Sequence, residues 1–205
     1  MSDRALPMKI RCITNRHLSV RDYAAQIMQI AQAGPEAVIV REKDLTEQAY
    51  EALAKEVMRI CAAYQVPCIL HTYIGAAARL GAQAVHLPLQ KLLELTEQQK
   101  RQFSVIGAST HSVQEAKLAQ EAGAGYLTAG HVFPTDCKKG VPARGLPFLR
   151  EVCAAVDLPV YALGGIHPGN AAACIRAGAA GVCIMSGCMN CVDVRQELLR
   201  YRDGA

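Results

Sequence analysis

Short apolar runs alternate along the chain with longer segments in which apolar residues recur at helical spacing. The eight runs occupy residues 10–14, 37–40, 68–71, 84–86, 105–109, 126–129, 160–163 and 181–185. Helical segments occur at residues 22–32, 47–64, 92–101, 113–121, 147–155 and 170–176. Strands that are repeatedly separated by helices predict βα units, and therefore an α/β fold with a parallel sheet.

Glycine ends several of these helical segments in the same way. Gly34, Gly81, Gly123 and Gly178 each follow Ala or Leu where a left-handed C-terminal cap is needed. After three of them the next strand begins within a few residues, which is a weak internal repeat. About eight such units predict a single-domain (β/α)8 TIM barrel over residues 1–205. The alternative is an open doubly wound sheet, which usually has fewer strands, and no G-x-G-x-x-G follows the first run.

Composition argues against several classes of function. Hydrophobic residues make up 51% of the chain, which allows a large core, and the net charge is only +4. With no Trp, 3 Phe and no basic stripe, we expect no nucleic-acid partner. Gly, Pro or Asn interrupt the long uncharged stretches at residues 158–175 and 177–192, so we expect no membrane span.

Cysteine and histidine usage gives no support for a metal centre. The nine cysteines lie mostly in apolar runs, as free thiols do in proteins of a reducing cytoplasm. Cys183, Cys188 and Cys191 begin like an iron–sulfur motif, but its distant fourth cysteine is missing. Cys188-x-x-Cys191 also lacks the context of a thioredoxin. The six histidines show no paired metal-ligand spacing, so we expect neither a metal nor another cofactor.

Two glycine loops stand at the end of the predicted barrel. The seventh run is followed by Gly164-Gly165, and the eighth ends at Met185 before Ser186-Gly187. In TIM barrels the loops after strands seven and eight often bind phosphate, because bare backbone N–H groups can approach an anion closely. These residues predict a phosphate site. The alternative is that the glycines only make tight turns.

His131 comes directly after the sixth run, where its side chain is expected at the mouth of the barrel. An imidazole there can exchange a proton near neutral pH. Thr135 and Lys138 follow in a polar loop that can bind an anion. The alternative is a core or capping histidine beside a solvated pair of lysines.

Charged residues follow the second run, where Arg41 and Lys43 flank Glu42. Alternation predicts that the two cations share one side of the strand end, with Glu42 on the other. Two inward cations suit an anionic substrate group, and arginine can bind a carboxylate through two hydrogen bonds. The alternative is a salt-bridged layer of the barrel.

Taken together, these motifs resemble the thiamin phosphate synthase-like barrels, and within them the thiazole tautomerase branch. The resemblance covers essentially the whole chain and is carried by residues 41–45, 86–87, 107–111, 130–135, 138–140, 144–145, 164–166 and 185–187. It implies an enzyme with a TIM barrel fold that acts on a small thiazole phosphate, and the free cysteines lead us to expect a cytoplasmic protein. The sequence leaves open whether the chain forms a homodimer.

Departures from the synthase pattern decide the branch. Synthases of this family typically carry Asn-Asp after strand three and Gly-Gln-Asp-Asp after strand four, where Mg²⁺ is held. Here those places read His71-Thr72 and residues 87–90, Leu-Pro-Leu-Gln. Mg²⁺ prefers carboxylate oxygens, so diphosphate chemistry is in doubt. After the strand-six glycine, His131 replaces the proline that is typical of the synthases, as in the tautomerases.

The resemblance therefore implies a metal-independent isomerase of thiamin biosynthesis, which converts a thiazole carboxylate phosphate tautomer into the aromatic thiazole. The expected site consists of His131 as catalytic acid/base and of Arg41, Lys43, Ser109, Thr135, Lys138, Gly164, Gly165, Met185, Ser186 and Gly187 as substrate-binding residues. Two alternatives are a thiamin phosphate synthase with substitute metal ligands and a non-catalytic, ligand-binding regulatory protein.

Overall fold

Eight parallel strands close into a barrel in the computed structural model, which describes residues 8–135 and 140–203. Each strand pairs with the next one along the chain, and β8 pairs with β1. The strands are β1 (Lys9–Ile13), β2 (Ala37–Val40), β3 (Cys68–His71), β4 (Ala84–Pro88), β5 (Val105–Thr110), β6 (Tyr126–Gly130), β7 (Val160–Leu163) and β8 (Gly181–Ile184). The predicted (β/α)8 barrel is confirmed, and the open sheet is excluded.

Helices connect the strands and cover the outside of the barrel. They are α1 (Tyr23–Gln32), α2 (Glu47–Ala63), α3 (Ile74–Arg79), α4 (Leu89–Leu93), α5 (Glu97–Lys100), α6 (Val113–Glu121), α7 (Gly145–Ala155), α8 (Pro168–Arg176), α9 (Ser186–Met189) and α10 (Val194–Asp203), with a 3-10 helix at Arg16–Leu18. The predicted glycine caps are confirmed, since Gly34, Gly81, Gly123 and Gly178 all have positive φ. Within residues 8–135 and 140–203, no helix is long and apolar enough to cross a membrane.

The single helix predicted over residues 92–101 is wrong, because α4 ends at Leu93 and α5 begins at Glu97. Thr96 caps α5: its side chain accepts a hydrogen bond from the Gln99 backbone N–H, and the Gln99 side chain accepts one from the Thr96 N–H. This capping box starts a new helix where spacing alone predicted a continuous one.

Strand side chains alternate between two apolar layers. The outward side chains, such as Val38 and Leu70, pack against the helices. The inward ones include Ile39, Tyr126 and Tyr161, which fill the barrel. The result is a packed barrel whose carboxyl end remains available for a site.

Candidate active site

A cavity of about 700 Å³ opens at the carboxyl end of the barrel. All eight strands or the residues directly after them contribute to its wall. Of the residues predicted from the sequence, the wall contains Arg41, Ser109, His131, Thr135, Gly164, Gly165, Met185 and Ser186. Lys43 and Gly187 lie outside this wall, and Lys138 lies outside the described residues. The strand ends thus bring eight of the predicted residues to one cavity.

His131 directly follows β6 and is buried in the cavity wall. Its Nε2 atom lies 3.2 Å from the carbonyl oxygen of Val141. Because a carbonyl oxygen only accepts hydrogen bonds, Nε2 is the donor in this contact, and Nδ1 is the other ring nitrogen. The contact with Val141 thus fixes the orientation of the His131 ring in the wall.

The two glycines after β7 allow the β7 loop to pack against the segment that carries His131. A Cβ atom at Gly164 would lie 2.4 Å from Cβ of His131, and one at Gly165 would lie 2.3 Å from the carbonyl oxygen of Pro134. Their φ angles are +98° and +64°, which favour glycine. The Phe133 N–H also donates to the Gly164 carbonyl oxygen at 3.0 Å. This glycine pair therefore has a packing role in addition to any contact with phosphate.

Ser186 begins α9 at the cavity wall, whereas the neighbouring Gly187 contacts α10. A Cβ atom at Gly187 would lie 2.8 Å from the hydroxyl oxygen of Tyr201. That hydroxyl donates to the carbonyl oxygen of Ile166, at 3.1 Å, in the loop after β7. Packing of α10 against the β7 loop thus explains this glycine without a ligand contact.

Arg41 lies in the wall of the main cavity, but Lys43 lines a separate cavity of about 220 Å³ together with Thr72. The prediction that the two cations share one side of the strand end is wrong. Strand β2 ends at Val40, and the chain turns before Lys43, so the alternation of a strand does not apply. Arg41 is the member of this pair that lines the main cavity, and the charges of both act on His71, which lines both cavities.

Glu42 is buried and holds the turn that carries Arg41. Its carboxylate accepts hydrogen bonds from the Thr14 hydroxyl at 2.8 Å and from the Arg16 backbone N–H at 3.1 Å. The Thr14 oxygen in turn accepts from the Arg41 backbone N–H at 2.9 Å. Arg16 also pairs with Glu42 and with Asp44. Part of this charged segment is therefore salt-bridged, as the alternative interpretation anticipated.

Two histidines that the predicted site did not include form the cavity floor. His71 on β3 and His86 on β4 are register neighbours, and their rings stack with centroids 5.6 Å apart. The Nε2 atom of His86 lies 2.8 Å from Oγ of Ser109, and its Nδ1 atom lies 2.9 Å from the hydroxyl of Tyr126. The sequence feature that could have predicted this pair is the presence of one histidine in each of two successive apolar runs, residues 68–71 and 84–86.

Burial keeps both floor histidines uncharged. Desolvation, helped by His86 and by the positive charges of Arg41 and Lys43, lowers the pKa of His71 to about 2. Desolvation and the charge of Arg11 lower the pKa of His86 to about 3. Both side chains are therefore neutral at physiological pH, and the floor is polar without being charged.

His111 and Thr135 lie at the rim of the cavity. Oε2 of Glu115 accepts a hydrogen bond from the His111 backbone N–H at 2.6 Å and lies 3.2 Å from Nδ1 of the same residue. The ring is nearly half exposed. His111 is thus held at the mouth by a helix residue, while His131 is buried in the wall.

The carboxyl ends of β3 and β4 do not suit Mg²⁺, the ion implied by the resemblance to synthases. Strand β3 ends at His71 and is followed by Thr72, and β4 is followed by Leu89 and Gln90. Mg²⁺ prefers carboxylate oxygens and water in an octahedral arrangement, not neutral imidazoles. Among the described residues, no group of three or more His, Cys, Asp or Glu side chains could hold a metal ion.

The cysteines of the iron–sulfur-like motif belong to different parts of the core. Cys183 lies in β8 inside the barrel, and burial raises its pKa to about 12. Cys188 lies in α9, where its Sγ atom donates to the carbonyl oxygen of Met185 at 3.1 Å. These two thiols pack as small apolar side chains.

Comparison with known proteins identifies the family of this barrel. A family model described as thiamine monophosphate synthase matches residues 10–188. Thiamine-phosphate synthase 2 of Streptococcus pneumoniae serotype 4 is 30% identical over 192 residues, which cover 93% of this chain and 91% of that protein. The thiamine-phosphate synthase of Pyrococcus abyssi is 31% identical over 195 residues, 95% of this chain and 93% of that one.

A solved structure has the same barrel over nearly the same length. Thiamine phosphate pyrophosphorylase from Pyrococcus furiosus superposes with a TM-score of 0.82 at 29% identity, covering 96% of this chain and 95% of that chain. The chain therefore belongs to the thiamine monophosphate synthase family. These matches support the expected superfamily and its link to thiamin biosynthesis, and the relatives carry the name of the synthase rather than that of the tautomerase.

Proposed function

We propose that this protein is a thiazole tautomerase, a metal-independent isomerase that aromatises a thiazole carboxylate phosphate. The observation that carries the proposal is His131, a buried imidazole in the wall of the main cavity. Its Nε2 atom is engaged by the Val141 carbonyl oxygen, which leaves Nδ1 as the basic atom. A positioned imidazole of this kind supplies general acid–base catalysis near neutral pH.

The reaction needs one proton to move between two carbons of the substrate. Nδ1 of His131 removes a proton from the ring carbon, and the electron pair of the broken C–H bond moves into the ring to form its new double bond. The exocyclic double bond then takes up the same proton from the imidazolium at its terminal carbon. Atoms and charge balance without an oxidant, a reductant or a second substrate. Aromatisation makes the product the more stable isomer.

We assign the substrate's two anionic groups to two parts of the cavity wall. Its phosphate would lie against the glycine loop after β7 and against Ser186 at the start of α9. Its carboxylate would meet Arg41, whose guanidinium can donate two parallel hydrogen bonds. The neutral His71 and His86 beneath them add polarity to the floor without repelling or neutralising either anion.

A rapid-mixing assay with the thiazole tautomer as substrate, in the presence of excess chelator, tests this proposal. His131→Gln should bind the aromatic product with unchanged affinity and lower the rate of the chemical step by about 10²-fold or more. His111→Gln is the matched control, because this histidine follows the neighbouring strand and is held by Glu115. It should stay within a few-fold of the wild type. A wild-type rate in His131→Gln, or loss of all activity in chelator, would refute the assignment.

The second candidate is a thiamin phosphate synthase, and the names of the relatives favour it. It would join a pyrimidine diphosphate to the thiazole phosphate and release diphosphate, which in this family needs Mg²⁺. Against it stand the neutral residues at the ends of β3 and β4. A coupling assay with both substrates and Mg²⁺ discriminates the candidates. Diphosphate release in step with product formation would establish the synthase.

A further inference from the structure

A column of polar side chains runs through the barrel below the cavity floor. At its base, the guanidinium carbon of Arg11 lies 4.0 Å from the ring centroid of Tyr126 and 3.7 Å from that of Tyr161. Arg11 Nε donates to Glu36 at 2.8 Å, and Nη2 donates to the Tyr161 hydroxyl at 2.9 Å. The guanidinium has only donors and carries a positive charge, which lies against the faces of both rings at the base of the column.

The next step of the column is the Tyr126 hydroxyl. Burial raises the pKa of Tyr126 above its usual value, so the phenol keeps its proton. The positive charge of Arg11 favours negative charge on the phenol oxygen and so attracts its lone pairs, and we therefore expect the hydrogen to point away from Arg11. Nδ1 of His86 lies 2.9 Å from the hydroxyl and is the acceptor that this orientation of the hydrogen requires.

The direction of the Tyr126 hydrogen bond determines the direction of the next one, from His86 to Ser109. His86 is neutral, as its lowered pKa requires, so a ring whose Nδ1 accepts must carry its hydrogen on Nε2. Nε2 lies 2.8 Å from Oγ of Ser109, which must accept this bond. The Thr128 hydroxyl lies 3.3 Å from the same Nε2 atom and donates to Oγ of Ser109 at 3.5 Å, so Ser109 accepts from this side as well. The hydrogen of Ser109 is thus left for the cavity whose wall Ser109 forms.

We propose that the column from Arg11 through Tyr126 and His86 fixes Ser109 as a hydrogen-bond donor to the ligand. The cavity then selects a ligand with an acceptor oxygen or nitrogen at its floor and disfavours one with a donor there. Tyr126 and His86 are positioning residues, because they act on the ligand only through Ser109. The inference deepens the proposed function, because it says that the binding site offers a donor rather than an acceptor at Ser109. That the ligand is a thiazole rests on the proposed function.

The tautomer of His86 tests the column without any ligand or activity. Protein with ¹⁵N-labelled histidine gives long-range ¹H–¹⁵N spectra that distinguish a protonated ring nitrogen from a bare one. The His86 signals are assigned by their loss in His86→Gln, or by through-space contacts to the Tyr126 ring protons. We expect hydrogen on Nε2 and a bare Nδ1 at pH 7. Hydrogen on Nδ1, or on both nitrogens, would overturn the inference.

A double-mutant cycle tests the effect on binding, with the aromatic thiazole carboxylate phosphate as the probe in calorimetry. Ser109→Ala should weaken binding about 3- to 10-fold, the value of one hydrogen bond. Tyr126→Phe alone should weaken thiazole binding by a similar or smaller factor. Added to Ser109→Ala, it should leave the affinity of that variant unchanged. Tyr161→Phe is the comparison variant, because it removes an acceptor of Arg11 but leaves the contacts from Tyr126 through His86 to Ser109 in place, so it should weaken binding less than Tyr126→Phe does.

The outcomes separate this inference from the proposed function. Losses that multiply in the double variant, or equal losses in Tyr126→Phe and Tyr161→Phe, would overturn the column. If the wild type does not bind the thiazole at all, the proposed function fails, and the tautomer of His86 still decides whether the column is polarised as stated.

Discussion

The two neutral histidines of the cavity floor make the fold sensitive to mild acid. In the unfolded chain a histidine has a pKa of about 6.5. In the folded protein, burial lowers this pKa to about 2 for His71 and about 3 for His86. Between these values the unfolded chain binds more protons than the native one, so stability falls as the pH drops below about 6.5. Both histidines therefore lower the stability of the fold as the pH falls.

The magnitude follows from the size of the shifts. Each histidine that charges only in the unfolded state costs about 1.4 kcal/mol for every pH unit well below about 6.5. Between pH 7 and pH 5 this amounts to about 2 kcal/mol for each residue and about 4 kcal/mol for both. A domain is stable by about 5–15 kcal/mol, so the loss is a large fraction of the total.

Urea unfolding at pH 7, 6 and 5 measures this loss. The free energy of unfolding should fall less in His86→Gln than in the wild type, by about 2 kcal/mol between pH 7 and pH 5, since the variant has one titrating group fewer. His71→Asn should behave in the same way. Tyr161→Phe alters the barrel interior without removing a histidine and should keep the wild-type pH dependence. Equal pH dependence in His86→Gln and the wild type would refute the neutral floor.

Two further predictions concern the phosphate loop and the barrel interior. Ser186→Asp should weaken binding of the phosphorylated thiazole by about tenfold or more and binding of the corresponding alcohol far less, because the added charge repels phosphate. Calorimetry with both ligands measures the two losses, and Ser186→Ala is the control. Equal losses for the two ligands would mean that the phosphate binds elsewhere. Gly107→Ala should destabilise the fold by about 1–3 kcal/mol in urea, because its Cβ would lie 2.1 Å from Cζ of Tyr126. Gly125→Ala is its control, since the nearest atom to that Cβ is 3.6 Å away, and equal stability of the two variants would contradict the argument.

The architecture could be predicted from the sequence because its signals are local. An apolar run of strand length and a glycine with positive φ after a helix each depend on a few neighbouring residues. The eight strands and the caps at Gly34 and Gly81 were predicted for that reason. The break between α4 and α5 was missed because a capping box at Thr96 outweighs apolar spacing.

The interior of the site could not be predicted, because it depends on register between strands. His71 meets His86, and Gly107 lies beside Tyr126, only through the pairings of β3 with β4 and of β5 with β6. Apolar spacing within one strand does not define its offset from the next strand. Lys43 was misplaced for a related reason, since alternation holds only while the strand continues, and β2 ends at Val40.

The charges in the cavity wall bear on which chemistry the barrel can support. Departure of a diphosphate builds up negative charge on the leaving oxygens, and a cation must stabilise it. Among the described residues of the wall, Arg41 is the one lysine or arginine, and the floor histidines stay neutral above about pH 3. Moving a proton between two carbons of one substrate leaves the net charge unchanged and needs a base of moderate pKa. The neutral floor and the buried His131 imidazole therefore suit the isomerisation that we propose.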